Sequence, residues 1–192
     1  PINNKPLIER TIKYLKKYGV TEIIISAGYK SHLIEKFLKQ KKNFGCQIIF
    51  SIENTPLGTG GAIKKAMKYL EEDSFLVING DVVTNIDLRK IMKKENTIAA
   101  NELKTKFGTM DIRGNKILKF NEKKDVTNVW MNPGIYHLSK DIQRLIPKKG
   151  SLEGIVFPKM TRNKTLNTVK FKNALWFSID SHKDIEECSK EI

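Results

Sequence analysis

Three stretches of this chain carry residue types suited to a polyphosphate and a divalent cation. The first is Glu53-Asn54-Thr55-Pro56-Leu57-Gly58-Thr59-Gly60-Gly61, where glycines precede a helical pattern. Glycines there let the backbone approach a flat or anionic ligand closely, and the helix that follows aims free N–H groups at it. The stretch matches neither the G-x-x-x-x-G-K-[ST] phosphate loop nor the G-x-G-x-x-G dinucleotide loop. On its own it reads equally well as a plain turn and helix start. The second is Asn79-Gly80-Asp81, directly after the apolar run Phe75-Leu76-Val77-Ile78. A carboxylate beyond the carboxyl end of a buried strand faces the ligand cleft of an open α/β sheet. It can hold Mg²⁺, which is satisfied by one or two protein carboxylates plus substrate phosphates. The competing reading of Asp81 is a turn aspartate that caps the next segment. The third is Trp176-Phe177-Ser178-Ile179-Asp180-Ser181, again a strand followed by a carboxylate. Asp180 is a second candidate metal ligand there, or else it or Ser181 caps the last helix. Lys123, in Phe120-Asn121-Glu122-Lys123, reads by itself as a surface lysine.

The elements that would position these groups alternate between helix and strand. Leu7, Ile8, Ile12, Leu15 and Tyr18 recur at helical spacing, and Gly19 ends that helix. Residues 22–27 (EIIISA) form a short, almost unbroken apolar run with β-branched residues, the pattern of a strand buried on both faces. A helix from Ser31, with that serine as N-cap, precedes a strand over 46–51. A helix over 59–70 places Ala62, Ile63, Ala66, Met67 and Leu70 on one side, and residues 75–78 form another buried strand. Such alternation implies a parallel sheet with right-handed crossovers. Beyond Asp81 the pattern changes. We expect a strand over 97–102, a hairpin over 108–120 that turns at Arg113-Gly114-Asn115, and a strand over 129–138 interrupted by Pro133 and Gly134. A helix over 151–160, strands near 166–171 and 176–179, and a helix from about His182 complete the chain. The expectation is one α/β domain over residues 1–192, with an antiparallel or mixed addition after Asp81.

Composition narrows the partners. The 192 residues are 40% hydrophobic and 29% charged, the balance of a folded soluble domain. No apolar run approaches the ~20 residues of a membrane helix. Nothing at the amino end reads as a charged-then-apolar leader. Cys46 and Cys188 form no pattern, so a reduced, cytoplasmic setting and no membrane partner are expected. The net charge of +14 is compatible with nucleic acid, an anionic surface or a small polyphosphate. Yet Lys39, Lys41, Lys42, Lys64, Lys65, Lys68, Lys93 and Lys94 are scattered, with no arginine-rich helix or aromatic-interleaved strand, which argues against a nucleic-acid partner.

Together, and in this order, the segments resemble the sugar-phosphate nucleotidyltransferase family almost end to end. Residues Pro1 to Glu9 are similar to its P-x-x-x-K-P-L-[IL]-E, and Gly19-Val20-Thr21-Glu22-Ile23 with Ala27-Gly28-Tyr29 fit the strand that follows. Glu53 with Pro56 to Ala62 resembles E-x-x-P-L-G-T-A-G-A, with Gly60 where alanine is usual, and Asn79-Gly80-Asp81 its N-G-D. Phe107-Gly108 parallels Y-G, Phe120-Asn121-Glu122-Lys123 parallels F-x-E-K, and Asn132-Pro133-Gly134-Ile135-Tyr136 parallels N-A-G-I-Y. The resemblance implies a Rossmann-like, doubly wound mixed sheet of the nucleotide-diphospho-sugar transferase type. It also implies transfer of a nucleotidyl group from a nucleoside triphosphate to a sugar 1-phosphate with release of pyrophosphate. By the same resemblance Asp81 and Asp180 hold Mg²⁺, and Asp81, Lys123 and Asp180 are the catalytic residues. Glu53, Pro56, Leu57, Gly58, Thr59 and Gly80 adjoin the nucleotide. Gly108, Glu122 and Asn132 hydrogen-bond the sugar, and Lys123 faces its phosphate. A homo-oligomer stays open.

Two departures qualify this. The family's W-x-D-I-G-T is here Trp176 to Ser181, with Ser178 at the aspartate and Asp180 at the glycine, closer to the I-D-[ST]-x-x-D of related cytidylyltransferases. The family also opens with a strand and a G-G-x-G-T-R loop that hold the triphosphate, and this sequence begins after the matching position. A central strand is then expected to be missing, with an apolar gap in its place and weak or no catalysis unaided. The alternative function is a non-catalytic nucleotide-sugar-binding remnant or partner subunit. A glycosyltransferase would need a D-x-D pair, which Asp81-Val82-Val83 does not supply. A basic nucleic-acid-binding domain would show steep salt dependence.

Overall fold

The computed structural model describes residues 1–103, 108–122 and 129–192. Helix α1 (Leu7–Lys16) follows Pro6 and buries Ile12 and Leu15, and it leads to strand β1 (Glu22–Ala27). Next come α2 (Ser31–Gln40), β2 (Gln47–Ile52), α3 (Gly58–Ala66) and β3 (Ser74–Ile78). Then follow β4 (Val82–Thr84), α4 (Leu88–Ile91) and β5 (Thr97–Glu102), and the hairpin of β6 (Thr109–Arg113) and β7 (Lys116–Asn121). β8 (Trp130–Met131), β9 (Ile135–Ser139), α5 (Phe157–Arg162), β10 (Asn167–Phe171), β11 (Trp176–Ser178) and α6 (His182–Glu191) complete the order.

The pairing is mixed, as an α/β sheet with an antiparallel addition should be. β1 and β2 run parallel, with Glu22 opposite Gln47 and Ala27 opposite Ile52. The larger sheet has the order β10-β5-β9-β3, with β8 extending the pairing of β5. β10 is parallel to β5, whereas β9 is antiparallel to both β5 and β3. β9 is buried on both faces. Ile135 packs with Leu15, Val82 and Leu88 on one side, while Tyr136 and Leu138 join Ile146, Val156 and Met160 on the other. A third cluster of Ile12, Leu38 and Cys46 lies under β1 and β2. Among the described residues no helix is long and apolar enough to cross a membrane.

The expected apolar gap is present. β1 pairs only with β2 and β3 only with β9, so each leaves one edge unpaired among the described residues. Between those edges lies a cavity of about 760 Å³ lined by Ile23, Ile25, Leu76 and Ile78 of the strands and by Ala62 and Ile63 of α3. Its lining also includes Thr59, Asn79 and Gly80. Unpaired backbone groups beside an apolar groove are costly, and they template another strand. The groove also explains why β1, expected to be buried on both faces, is only partly buried along its length.

Other local departures have simple causes. Ser31 is not the N-cap of α2. Lys30 holds that position in a left-handed conformation (φ 57°), and the Ser31 N–H bonds the Gly28 carbonyl at 3.1 Å, so the tight turn out of β1 fixes the helix start instead. The helix expected over 151–160 opens as a π turn, Leu152–Val156, before α5. β4 and α4 are too short to leave a periodic signal.

Candidate active site

Two carboxylates meet where β4 and β11 pair. Ser178 lies opposite Val82 in that antiparallel pair, and the Ile179 N–H donates to the Asp81 carbonyl at 2.9 Å. The Ser178 hydroxyl lies 3.2 Å from Asp81 Oδ2 and 2.9 Å from Asp180 Oδ2, so two carboxylates far apart in the sequence share one side chain. The capping alternatives are settled by geometry. Ser181 caps α6, and with Asp184 it forms a capping box, which leaves Asp180 free of that duty. The Asp81 carboxylate faces the Ser178 hydroxyl, whose single proton it shares with Asp180, and among the described residues it accepts no backbone N–H of the segment after it. Two carboxylates and a hydroxyl are hard oxygen donors, which suits Mg²⁺ completed by phosphate oxygens and does not suit a soft transition metal.

The junction of β3 and β9 supports this point. The Asn79 N–H donates to the Gly134 carbonyl at 2.9 Å, and a Cβ on Gly134 would lie 2.5 Å from Asn79 Nδ2. Gly134 therefore lets the two segments close on each other, and its φ of +73° suits glycine as well. Trp176 Nε1 donates to the Pro133 carbonyl at 2.9 Å, tying β11 to the same turn. Gly80 differs, because a Cβ there would meet nothing within 4 Å.

The glycine-rich start of α3 does something other than the sequence implied. The Gly60 and Gly61 N–H groups donate to the Gly150 carbonyl at 2.9 and 3.3 Å, and the Gly150 N–H returns a bond to the Leu57 carbonyl at 2.8 Å. A Cβ on Gly58 or Gly61 would approach the Gly150 or Lys148 carbonyl to 2.7 Å. These glycines admit the loop over residues 147–151. Glu53 likewise turns inward, with its Oε2 accepting the Leu57 N–H at 3.0 Å. Pro56, Gly58 and Thr59 stay exposed.

Glu153 is the residue that sequence reasoning missed. Its Oε2 accepts the hydroxyls of Thr59 (2.6 Å) and Ser151 (2.8 Å), and its Oε1 accepts the Tyr136 phenol at 3.1 Å. Burial pushes its carboxyl up, but the bonds from Thr59, its own backbone, Ser151 and Tyr136 outweigh this and hold it below the usual range. Burial, opposed by the Asn132 amide and reinforced by the charges of Glu153 and Asp81, raises the Tyr136 phenol. Asn132 Nδ2 donates to the Tyr136 oxygen at 2.9 Å, while its Oδ1 accepts the Gly134 N–H at 3.0 Å. The amide is oriented by these two bonds and retains one N–H for a ligand.

Of the sugar-side candidates, Gly108 and Glu122 come together: a Cβ on Gly108 would lie 3.1 Å from Glu122 Oε2. Among the described residues no hydrogen bond links that pair to Asn132 or Asp81. Lys123 and Phe107 lie outside the described residues.

Residues 1–192 match the Nucleotidyl transferase family throughout. The chain belongs to that family. It is 37% identical over 150 residues to D-glycero-alpha-D-manno-heptose 1-phosphate guanylyltransferase of Aneurinibacillus thermoaerophilus, covering 74% of this chain and 65% of that protein. The protein of the same name from Campylobacter jejuni is 38% identical over 147 residues, covering 74% and 66%. The chain thus spans just under two thirds of the length of these relatives. Among solved structures, HddC from Yersinia pseudotuberculosis superposes with a TM-score of 0.78 at 32% identity, covering all of this chain and 87% of that one. A second structure of HddC is complexed with GMP-PN. The mixed α/β architecture of this chain is that of these neighbours. The signal that Glu153 leaves in its sequence is slight, since one acid in a helix's first turn is an ordinary feature.

Proposed function

We propose that this chain forms the greater part of a catalytic core that transfers a nucleotidyl group from a nucleoside triphosphate to a sugar 1-phosphate. The observation that carries the reading is the sharing of Ser178 by Asp81 and Asp180, which sets two carboxylates at one point beside Gly80 and the β3–β9 junction. Because the two relatives named above are guanylyltransferases, and mannose-1-phosphate guanyltransferase 2 of Candida glabrata is 32% identical over 197 residues, the proposed donor is GTP, and the proposed acceptor is a manno-configured sugar 1-phosphate such as D-glycero-α-D-manno-heptose 1-phosphate or mannose 1-phosphate.

In this reading an oxygen of the sugar phosphate attacks the α-phosphorus in line. A new P–O bond forms, the bond to the bridging oxygen of the β-phosphate breaks, and pyrophosphate leaves. Asp81 and Asp180 would hold Mg²⁺, which supplies charge neutralisation on the phosphates. Thr59 and the exposed edge of its loop take the nucleotide. Asn132, Gly108 and Glu122 take the sugar hydroxyls, and Lys123 takes its phosphate. The chemistry asks for positioning and charge stabilisation more than for proton transfer. Free, buried Cys46 and Cys188 fit a reducing cytoplasm.

The open groove favours a second reading for residues 1–192 acting alone, namely ligand binding without turnover. The test is pyrophosphate release with Mg²⁺, GTP and each sugar 1-phosphate. It is run on the chain as it stands and on a version carrying an added amino-terminal strand and glycine-rich loop. Turnover by the extended version supports the proposal. If both versions bind a nucleotide sugar and neither turns over, the binding-protein reading replaces it.

A further inference from the structure

Resting on that reading, we propose that Glu153 is a positioning residue that couples the nucleotide loop to the sugar pocket. The chain of contacts is continuous. Thr59 Oγ1 accepts the Leu152 N–H at 2.8 Å and donates to Glu153 Oε2. The other carboxylate oxygen takes the Tyr136 phenol, whose oxygen takes Asn132, whose carbonyl takes the Gly134 N–H. One carboxylate therefore sits between a residue of the α3 loop and the turn that closes on Asn79.

The direction of every proton along this chain is set. Glu153, ionised, can only accept, so Thr59, Ser151 and Tyr136 must all donate to it. Tyr136, having donated its one proton, can accept from Asn132, which fixes the amide with its carbonyl toward Gly134. A glutamine at 153 would reverse part of this order. Its Nε2 must face either the Thr59 and Ser151 pair or the Tyr136 phenol, and one of those donors loses its acceptor in a half-buried place. No lysine or arginine among the described residues pairs with Glu153, so neutral donors alone hold its charge. Its backbone lies in the π turn Leu152–Val156, an uncommon distortion that frequently marks functional sites. Here the extra residue of that turn accompanies a carboxylate that is directed across the site instead of out to solvent.

The consequence is that each ligand should sense the other's half of the site through this one side chain. The test uses the full chain labelled with ¹⁵N and two single substitutions, Thr59→Val on the nucleotide side and Tyr136→Phe on the sugar side. Each is made with Glu153 present and in a Glu153→Gln background. The first readout is the Asn132 side-chain amide resonance in the absence of ligand. The second is affinity, by calorimetry, for GTP with Mg²⁺ and for mannose 1-phosphate.

With Glu153 present, Thr59→Val should shift the Asn132 amide resonances and weaken mannose 1-phosphate binding about 10-fold, and Tyr136→Phe should weaken GTP binding similarly. In the Glu153→Gln background both cross effects should vanish, with each ligand already weakened about 10-fold. A residue that only stabilised the fold would lower the melting temperature without these cross effects. Asn132 resonances that ignore Thr59→Val, or cross effects that survive Glu153→Gln, overturn the proposal. If the unsubstituted chain binds neither ligand, the resonances alone decide whether Glu153 links the two sides, and turnover by the extended version decides the nucleotidyl-transfer reading separately.

Discussion

Gly80 offers the sharpest separation of fold from function. A Cβ at this position would meet nothing within 4 Å, and its backbone lies outside the left-handed region that favours glycine. The protein itself therefore gives no reason for a glycine, whereas a ligand lying against Asn79-Gly80-Asp81 does. Gly80→Ala should leave stability unchanged or raise it by about 0.4–1 kcal/mol, because alanine restricts the unfolded chain. At about 2–4 °C per kcal/mol for a chain of this size, the melting temperature should rise by at most a few degrees. A ligand in contact would meet the new methyl at a cost of about 1–3 kcal/mol, so kcat/KM should fall roughly 10- to 100-fold. Gly61→Ala provides the contrast. Its Cβ would lie 2.7 Å from the Lys148 carbonyl and 2.8 Å from Leu57 Cβ, so the loop over 147–151 must retreat. Overpacking of about 1–3 kcal/mol, partly offset by about 1 kcal/mol of helix propensity, predicts a lower melting temperature together with lost binding. The assays are thermal unfolding and pyrophosphate release in the version that turns over. A Gly80→Ala protein with unchanged stability and unchanged kcat/KM would refute the reasoning, because nothing would then lie against Gly80 during the reaction.

Three further outcomes follow from the same geometry. Ser178→Ala removes the hydroxyl between Asp81 and Asp180 and should raise the Mg²⁺ concentration needed for half-maximal activity about 10-fold. Asp180→Asn should cost more, as a Mg²⁺ titration of turnover would show. Glu153 has a depressed carboxyl, so its contribution to stability is present above the unfolded value of 4.5 and is lost as pH falls through the lower folded value. Urea unfolding across that acid range should therefore show a shallower pH dependence in Glu153→Gln. Supplying an apolar strand to the groove between β1 and β3 should raise the melting temperature on the order of 10 °C, from ladder hydrogen bonds worth about 1 kcal/mol each. It should also abolish binding of a hydrophobic dye. An unchanged melting curve would mean the groove is not a strand site.

Much of this was legible in the sequence, and what was not has a physical reason. The apolar runs over 22–27 and 75–78 and the helical spacing over 7–18 each report a local period, and each element formed close to where that period places it. The turn at Gly114-Asn115 between β6 and β7 was readable because hairpin turns demand particular residues. The Pro133-Gly134 interruption was readable for the same reason, since proline cannot donate to a ladder. The packing partner of Gly58, Gly60 and Gly61 was not readable. Sequence shows that a backbone is approached closely at such a cluster, but not by what, and the approaching group is the Gly150 carbonyl. Glu153 was invisible because its importance lies in partners at positions 59, 136 and 151, which no spacing rule connects.

The groove and the Glu153 chain constrain the same loop from opposite flanks. Gly150 and Glu153 hold the start of α3 on one side, while Thr59, Ala62, Ile63 and Ala66 of the same helix line the unfilled groove on the other. α3 also packs on β1 and β2, the strands on one flank of the groove, so an occupant that draws these elements together would move α3, and Thr59 would carry its bond to Glu153 with it. The separation between the loop at Thr59 and the Asp81–Asp180 pair therefore depends on what occupies the groove, even where the occupant touches no ligand. Because a misplacement of about 1 Å can cost on the order of 100-fold in rate, filling the groove should improve turnover through geometry as well as through any group the added strand delivers. The two contributions can be separated. An added strand whose following loop is all glycine and serine should restore the melting temperature and tighten GTP binding, while turnover should need the charged groups that a phosphate-holding loop would bring.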